Sequence, residues 1–271
     1  MSRRVVLVTG ASGLVGTWLR RMAPDDVHVV ALVHRTPIAE GDTVTADLRD
    51  PAAVAAAVDA VRPSVVIHAA MVIDEASIVG ATANVAEAVA AVDAELVHVS
   101  TDAVFSGDGC ALDEGEAPDP IWDYGRWKAQ AERAALATST PSTVVRLPLV
   151  VSLDPEDHAV ERIHQGVRDG RPTAWFDDEL RQPAMASDIA AGIWRIAARP
   201  AAERAGVWHL MGPETLSRYE IAMRVAAALG ADPSIVEPEP TPPTAVRPRH
   251  LDLRSDRARA AIGWDPAPIL S

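Results

Sequence analysis

The side chains best placed to do chemistry in this sequence are Tyr124 and Lys128, four positions apart in DYGRWK. Residues with this spacing lie on one face of a helix, so the two side chains would be neighbours. A tyrosine has an ordinary pKa of about 10 and exchanges protons poorly at neutral pH. A nearby cation favours its phenolate form. The pair therefore predicts a proton donor together with the cation that tunes it.

Lys128 is also the one lysine in the chain, since the rest of the 25 Lys and Arg residues are arginines. Something is needed at position 128 that a guanidinium does not supply. A compact ammonium with three donors can reach sugar hydroxyls, whereas a guanidinium is planar and rigid. The alternative, a surface Tyr and Lys pair on an amphipathic helix, is typical of lysine-rich proteins, and this chain is not one.

Hydroxyl side chains end the predicted strand in VHVSTDAVFSG, where Ser100 and Thr101 precede Asp102. Ligands of parallel α/β folds bind at the carboxyl edge of the sheet. A hydroxyl there can donate a hydrogen bond to a substrate carbonyl oxygen, and we expect Ser100 and Asp102 to adjoin the substrate. A polar cluster that merely caps the strand end is the alternative.

A glycine-rich turn, TGASGLVG, follows the first predicted strand. Glycines at such a turn allow a pyrophosphate to approach the amide groups at a helix amino terminus. An ordinary strand-to-helix turn is the alternative, but the position after the first strand favours binding. The residues predicted to bind a cofactor here are Gly10, Ser12, Gly13, Leu14 and Val15, with Gly16 completing the spacing.

The second predicted strand ends in His34 and Arg35, with no acidic residue. An acid at this position binds the adenosine ribose of NAD, whereas an arginine accommodates the 2′-phosphate of NADP. We therefore expect NADP(H), with NAD(H) less favoured, unless Arg35 is only a solvated surface charge. Asp47 and Leu48 are candidates for the adenine edge, although an acid at a helix-leading turn has the same pattern.

Short apolar runs alternate with alanine-rich helical patterns up to about residue 150. This alternation predicts an α/β fold with a doubly wound parallel sheet of the Rossmann type. We expect an NADP-binding domain over 1–150, with return elements near 187–210, and a smaller substrate-binding lobe over 151–271. The Pro-rich stretch at 237–250 is interpreted as an ordered extended loop.

Composition limits the function classes. A hydrophobic content of 48% supports a sizeable core, and a formal charge of −13 argues against a general nucleic-acid or membrane surface. Cys110 is a single cysteine and forms no internal disulfide. Because no apolar run approaches bilayer length and no signal peptide is recognised, we expect a cytoplasmic protein. The spacing of His158, His164 and His209 does not predict a metal site.

Arginines are the candidates for an anionic substrate group, because a guanidinium fork matches a diphosphate. Each is equally interpretable as a surface charge. The candidates are Arg146, Arg181, Arg247 and Arg249.

Together these segments resemble the extended short-chain dehydrogenase/reductase family. STDAVFSGDG, DYGRWKAQAE and WHLMGPETLSRYEIA are most similar to its dTDP-4-dehydrorhamnose reductase group. The resemblance implies that Tyr124 donates a proton, that Lys128 holds the nicotinamide ribose, and that Thr101 polarises the carbonyl. It also implies cofactor contacts at His68, Ala69 and Ala70. Helices near 77–92 and 122–138 are candidates for the homodimer interface of relatives, although alanine-rich helices also pack within a monomer.

The activity expected from this resemblance is NADP(H)-dependent reduction of a keto group on a nucleotide-linked deoxysugar. Dehydratases of the superfamily carry an acid pair after the threonine, and here Asp102 is followed by Ala103, which disfavours dehydration. An epimerase and a reductase of a carbonyl without a nucleotide remain alternatives. A non-catalytic cofactor-binding regulatory subunit is a third.

Overall fold

The computed structural model describes residues 3–107 and 111–271, so Cys110 lies outside the described residues. They form two compact units. The first contains the described residues up to Thr101 together with Asp123–Arg146 and Ala190–Trp208. The second contains the described parts of Asp102–Trp122, Leu147–Ile189 and His209–Ser271.

The strands are short, as buried apolar runs in α/β proteins usually are. They are β1 (Arg4–Thr9), β2 (Val27–Val33), β3 (Asp42–Thr45), β4 (Val65–His68), β5 (Glu95–Thr101), β6 (Ser142–Leu147), β7 (Val150–Val151), β8 (Thr173–Phe176), β9 (Leu180–Arg181), β10 (Ala184–Met185), β11 (Gly206–His209), β12 (Leu216–Ser217) and β13 (Val236–Glu239).

The helices that connect these strands include one π-helical turn. They are α1 (Leu14–Arg21), α2 (Pro51–Val61), the π-helix Ala76–Gly80, α3 (Ala81–Ala91), α4 (Asp123–Leu136), α5 (His158–Asp169), α6 (Ala186–Ala197), α7 (Ala201–Arg204), α8 (Arg218–Ala228) and α9 (Asp256–Ile262). Short 3-10 turns occupy Asp102–Val104 and Pro233–Ile235.

Among the described residues, the large sheet has seven strands in the order β11-β6-β5-β4-β1-β2-β3. β1 pairs in parallel with β2 and β4, β2 with β3, and β4 with β5. The chain therefore moves outward from β1 in both directions, which confirms the predicted doubly wound sheet. Because its central strands are buried on both faces, Leu7, Val66 and Leu96 lie in one core with α2 and α3.

Local sequence sets where the helices begin. Asp50 accepts hydrogen bonds from the amides of Ala52 and Ala53, and Pro51 occupies the first helical position of α2. Elsewhere in the first unit, α6 is linked to α1, because the Trp194 indole donates to the Leu19 carbonyl at 3.0 Å.

The second unit has its own apolar core, formed by α5, α8 and the strand pair β8 and β13. The Pro-rich stretch begins in β13, and the Arg249 carbonyl near its end accepts from the Leu180 amide at 2.7 Å. An ordered extended segment follows from these bonds, as predicted. No helix in 3–107 or 111–271 combines the length and apolar character that crossing a bilayer requires.

Candidate active site

The glycine turn between β1 and α1 is closely packed against backbone. Gly10 has a φ of +65°, and a Cβ built there would lie 2.6 Å from the amide nitrogen of Ala70. A Cβ on Gly16 would lie 2.1 Å from the Gly10 carbonyl oxygen. Larger residues do not fit at these two positions. Glycine at these two positions therefore allows the close approach of backbone to backbone in this turn.

The rim of this turn is accessible. Gly13 precedes α1 without a side-chain cap, so the first amides of the helix are not covered by a capping group. Ser12 and Gly13 are exposed, and Leu14 and Val15 are half-buried. Ala69 and Ala70, which follow β4, are also half-buried. These residues fit a pyrophosphate, since the amide groups and helix dipole offer an anion site.

The predicted adenine-side residues come together because β2 and β3 end side by side. His34 Nε2 lies 3.8 Å from Asp47 Oδ2. The side chain of Asp47 accepts from the guanidinium of Arg49 at 2.6 Å, and that bond lowers the pKa of Asp47 far below its ordinary value. Arg35 is exposed and has no hydrogen-bond partner within the described parts of the chain. The carbonyl of Leu48 accepts from Asn84 at 2.9 Å.

Lys128 is buried, with 5% of its surface exposed. Its Nζ donates to the Val99 carbonyl oxygen at 2.7 Å, which ties α4 to β5 two residues before Thr101. Burial lowers the pKa of Lys128 to about 8, and the negative charge of Glu132 opposes that shift. Thr101 ends β5, and Tyr124 is half-buried one turn before Lys128 on α4.

A buried polar network lies one helical turn further along α4. Glu132 accepts from Arg146 at 3.0 Å on Oε1 and 2.8 Å on Oε2, and from the Ser100 hydroxyl at 2.5 Å. Arg146 is 2% exposed, and Ser100 is also buried. We therefore assign Arg146 and Ser100 to the interior of the first unit rather than to a surface that a substrate would touch. Sequence reasoning missed Glu132, although its i+4 spacing from Lys128 was a usable signal.

Two histidines pack together beneath Lys128. His68 and His98 are register partners in β4 and β5, and their ring centroids are 5.4 Å apart. Burial, followed by the charge of Lys128, lowers the pKa of His68 to about 3 and the pKa of His98 well below its ordinary value. Both rings are therefore neutral at physiological pH. The ring of His68 is 1% exposed, so it does not present an atom to a ligand.

In the second unit, arginines gather round Glu179, which is fully buried. Arg181 donates to its carboxylate at 3.5 Å, but also to the carbonyls of Leu180 and Pro248 at 2.7 and 2.8 Å. Burial lowers the pKa of Arg181, and the carboxylates of Asp102 and Glu179 oppose the shift. Most of the hydrogen bonds that the Arg181 guanidinium donates therefore go to backbone carbonyl oxygens.

Arg247 and Arg218 are the more available members of this cluster. Arg247 pairs with Glu179 and lies over the rings of Trp122 and Phe176, 5.6 and 5.7 Å from their centroids. The Arg218 amide donates to the Glu179 carbonyl oxygen at 3.0 Å. Its guanidinium has no hydrogen-bond partner among the described residues.

Arg249 instead donates to Asp178 at 2.8 Å and is partly exposed. Sequence reasoning missed Arg218, because one arginine among 24 gives no signal without its neighbours.

No candidate metal site is found in the described residues. Within 3–107 and 111–271, no three or more His, Cys, Asp or Glu side chains lie close enough together to bind a metal ion.

Comparison with known proteins identifies the family. The model of the family described as RmlD substrate binding domain matches residues 3–269. This chain belongs to that family. The match covers nearly the whole chain, both units included, and confirms the resemblance seen in the sequence.

The individual proteins that this chain resembles are named for different functions. A probable dTDP-4,6-dihydroxy-2-methyloxan-3-one 4-ketoreductase of Streptomyces antibioticus is 31% identical, over 97% of this chain and 90% of its own length. Methionine adenosyltransferase 2 subunit beta of Rattus norvegicus is 30% identical, over 93% of this chain and 80% of its own length. The crystal structure of a hypothetical dTDP-4-dehydrorhamnose reductase from Sulfolobus tokodaii has a TM-score of 0.83, with 25% identity and 97% of each chain covered.

Proposed function

We propose that this protein is an NADP(H)-dependent reductase that converts the keto group of a nucleotide-linked deoxysugar to an alcohol. The observation that carries the proposal is the buried Lys128, bonded to β5 just before Thr101 and one helical turn from Tyr124. Burial of a lysine costs free energy, and buried groups with shifted pKa values cluster at functional sites. The Lys128 amine is buried close to the tyrosine that would transfer the proton. The ketoreductase name of the Streptomyces antibioticus relative agrees with this chemistry.

The chain's own groups do the proton work in this scheme. The Thr101 hydroxyl donates a hydrogen bond to the substrate carbonyl oxygen, and the Tyr124 phenol donates its proton to that oxygen as negative charge develops there. Lys128, held by Val99, favours the phenolate that results and has donors left for sugar hydroxyls. The nicotinamide cofactor, when bound, supplies the hydride.

The first unit is proposed to bind the cofactor through the glycine turn, the residues after β4 and the ends of β2 and β3. Arg35 is exposed, and the two residues directly after β2 are His34 and Arg35 rather than an acid that would accept from a ribose hydroxyl. A 2′-phosphate would gain charge-assisted hydrogen bonds from that guanidinium, which favours NADP(H). The role proposed for this unit is therefore cofactor binding.

The second unit is proposed to bind the anionic part of the substrate through Arg218 and Arg247. Arg218 offers an unengaged guanidinium at the start of α8, and Arg247 is about one-third exposed beside two aromatic rings. A diphosphate fits paired guanidinium groups, and the aromatic rings suit a nucleobase. We expect Arg218→Met to raise KM for a diphosphate-linked ketosugar and to leave NADPH affinity unchanged. Equal loss with a ketone that lacks the diphosphate would remove Arg218 from this role.

Replacement of Tyr124 by Phe tests the reaction itself. We expect kcat for NADPH oxidation by a nucleotide-linked 4-ketosugar to fall about 10²- to 10⁴-fold, because general acid catalysis contributes that much. The NADPH dissociation constant, measured by nicotinamide fluorescence, should stay within about twofold of wild type, since the phenol is not needed for binding. Tyr219→Phe alters the other tyrosine of the chain and is the matched control. Full turnover in Tyr124→Phe would sink the mechanism.

A regulatory subunit is the second candidate, favoured by the 30% identity to methionine adenosyltransferase 2 subunit beta. Such a subunit would bind NADPH without oxidising it in the presence of any ketosugar. Epimerisation is a third candidate, and it would invert a carbinol carbon with no net consumption of cofactor. Product analysis with a panel of nucleotide-linked ketosugars separates the three candidate functions.

The homodimer proposed for α3 and α4 is tested by sedimentation of the purified chain.

A further inference from the structure

His68 lies inside the first unit at the centre of a chain of hydrogen bonds. Its Nδ1 is 2.7 Å from the Thr9 hydroxyl, and its Nε2 is 3.1 Å from the Thr82 hydroxyl. The Thr82 hydroxyl donates to the Ile78 carbonyl oxygen at 2.6 Å. At the other end, the Ala70 amide donates to the Thr9 hydroxyl oxygen at 3.3 Å.

The bond from Thr82 to the Ile78 carbonyl fixes which group donates in each of the hydrogen bonds to His68. Because a hydroxyl has one hydrogen and Thr82 gives its own to Ile78, Thr82 can only accept from His68. Nε2 of His68 therefore carries the proton. A neutral imidazole then has Nδ1 as an acceptor, so the Thr9 hydroxyl must donate to it. Burial keeps the pKa of His68 at about 3, which agrees with a ring that stays neutral.

The far end of the chain is the glycine turn. Thr9 is the last residue of β1, directly before Gly10, and is the register partner of His68. The Ala70 backbone that Thr9 holds is the same backbone that a Cβ on Gly10 would strike at 2.6 Å. The Thr9 hydroxyl therefore links the two backbone segments that adjoin the proposed pyrophosphate site, in addition to the Thr9 carbonyl, which accepts from the Ala69 amide at 3.4 Å.

We propose that His68 is a positioning residue for cofactor binding: its Nε2–H tautomer orients the Thr9 hydroxyl, which holds the Ala70 amide against Gly10. This inference rests on the proposed cofactor site. It differs from a direct contact, because both ring nitrogens are used inside the protein and the ring is buried. Thr9 and Thr82 then contribute to cofactor binding indirectly, through their hydrogen bonds to His68.

His98 provides a matched control for His68. It is 1% exposed, as His68 is, and it is the register partner of His68 in the neighbouring strand. Neither of its ring nitrogens has a hydrogen-bond partner among the residues that the structure describes. Replacement of either histidine by Leu removes a buried ring at the same depth, but only His68→Leu breaks the hydrogen-bond chain.

The experiment has two readouts, hydrogen exchange of the Ala70 amide and the NADPH dissociation constant. We expect His68→Leu and Thr9→Val each to speed Ala70 exchange and weaken NADPH binding by about tenfold, since each leaves a buried polar group without its partner. The double variant should be no worse than either single one, because both break the same chain. His68→Asn, whose side-chain oxygen can accept from Thr9, should recover most of the affinity, and His98→Leu should change either readout less than about twofold.

Several outcomes would overturn the inference. Unchanged Ala70 exchange in His68→Leu, or an Nδ1–H tautomer in the ¹⁵N spectrum of His68, contradicts it whether or not cofactor binds. If His98→Leu weakens NADPH binding as much as His68→Leu does, the effect is explained by lost core packing and not by the hydrogen bonds of His68. If His68→Leu does not fold, the tautomer of His68 in wild type still tests the inference, and Thr9→Val tests the bond between Thr9 and Ala70 separately. Failure of wild type to bind NADPH would count against the proposed function alone, since Ala70 exchange is read without cofactor.

Discussion

The ammonium group of Lys128 donates to the backbone carbonyl of Val99 across 2.7 Å, so the one lysine of the chain is fixed to the strand that ends at Thr101. A backbone carbonyl is an acceptor that no sequence change at Val99 can remove. The bond holds the amine at the carboxyl end of β5, and α4 presents Tyr124 one turn earlier. This relationship is the basis of the first two predictions.

Lys128→Arg should be strongly impaired despite its conserved charge. The site is 95% enclosed, and a planar guanidinium is larger than an ammonium and differs in donor geometry. We expect kcat/KM to fall by about 10²-fold or more, in the range of lost acid-base assistance, with a lower melting temperature. Arg126→Lys, the reverse exchange at an exposed position of α4, is the control and should behave as wild type. Normal kinetics in Lys128→Arg would remove the reason for a lysine at this position.

Stability should depend on pH through Lys128. Burial lowers its pKa from an ordinary 10.5 to about 8 in the folded protein. Between these two values the unfolded chain binds a proton that the folded protein has released, so the contribution of this group to the free energy of unfolding rises with pH. The difference in that free energy between wild type and Lys128→Met should increase from pH 8 to pH 10 and be flat below about pH 7. Urea unfolding across this range measures it, and a difference that does not vary would show an unshifted lysine.

The ion pair of Glu132 and Arg146 predicts a pattern of stabilities. Glu132→Gln leaves the Arg146 charge buried without its carboxylate, and we expect a loss of about 3–5 kcal/mol in the free energy of unfolding. The double variant Glu132→Leu, Arg146→Met removes both charges and should be more stable than Glu132→Gln. Ser100 still loses an acceptor in it, so recovery to wild type should be incomplete. Additive losses in single and double variants would contradict a coupled pair.

Arg35 should decide the choice of cofactor. Loss of a charge-assisted hydrogen bond to the 2′-phosphate would weaken NADPH binding about 10- to 100-fold in Arg35→Ala. NADH carries no such phosphate, so its dissociation constant should stay the same. Arg62→Ala alters an exposed arginine that pairs with Asp59 at the end of α2, and it serves as the control. Equal weakening of both cofactors by Arg35→Ala would argue against 2′-phosphate recognition.

The alternation of short apolar runs with helical patterns predicted the doubly wound sheet. Asp50 and Pro51 account for the start of α2 at residue 51, and β2 at 27–33 is apolar except for His28. The helix predicted near 77–92 is found as a π-helical turn at 76–80 followed by α3. That widened turn has no simple sequence signal, because it depends on the packing of α3 and α4 on it rather than on residue propensities.

The site was predictable where chemistry is local and not where it depends on tertiary contacts. Tyr124 and Lys128 are related by one helical turn, which a sequence displays directly. Arg146 was predicted to face a substrate, because its partner Glu132 lies on a different element and only folding brings the two together. Arg218 is the converse case, since its position beside Glu179 arises from the antiparallel pairing of β9 with β12, the strand that directly precedes α8.

The burial of Lys128 also changes how the protein meets chemical reagents. Amine-acylating labels and lysine cross-linkers normally find many side chains on a protein surface, but here the one ε-amine in the sequence is 5% exposed. Acylation at this position requires α4 and β5 to separate and the bond to Val99 to break. The rate of that labelling would therefore report the separation of α4 from β5 at the proposed active site, without an engineered probe.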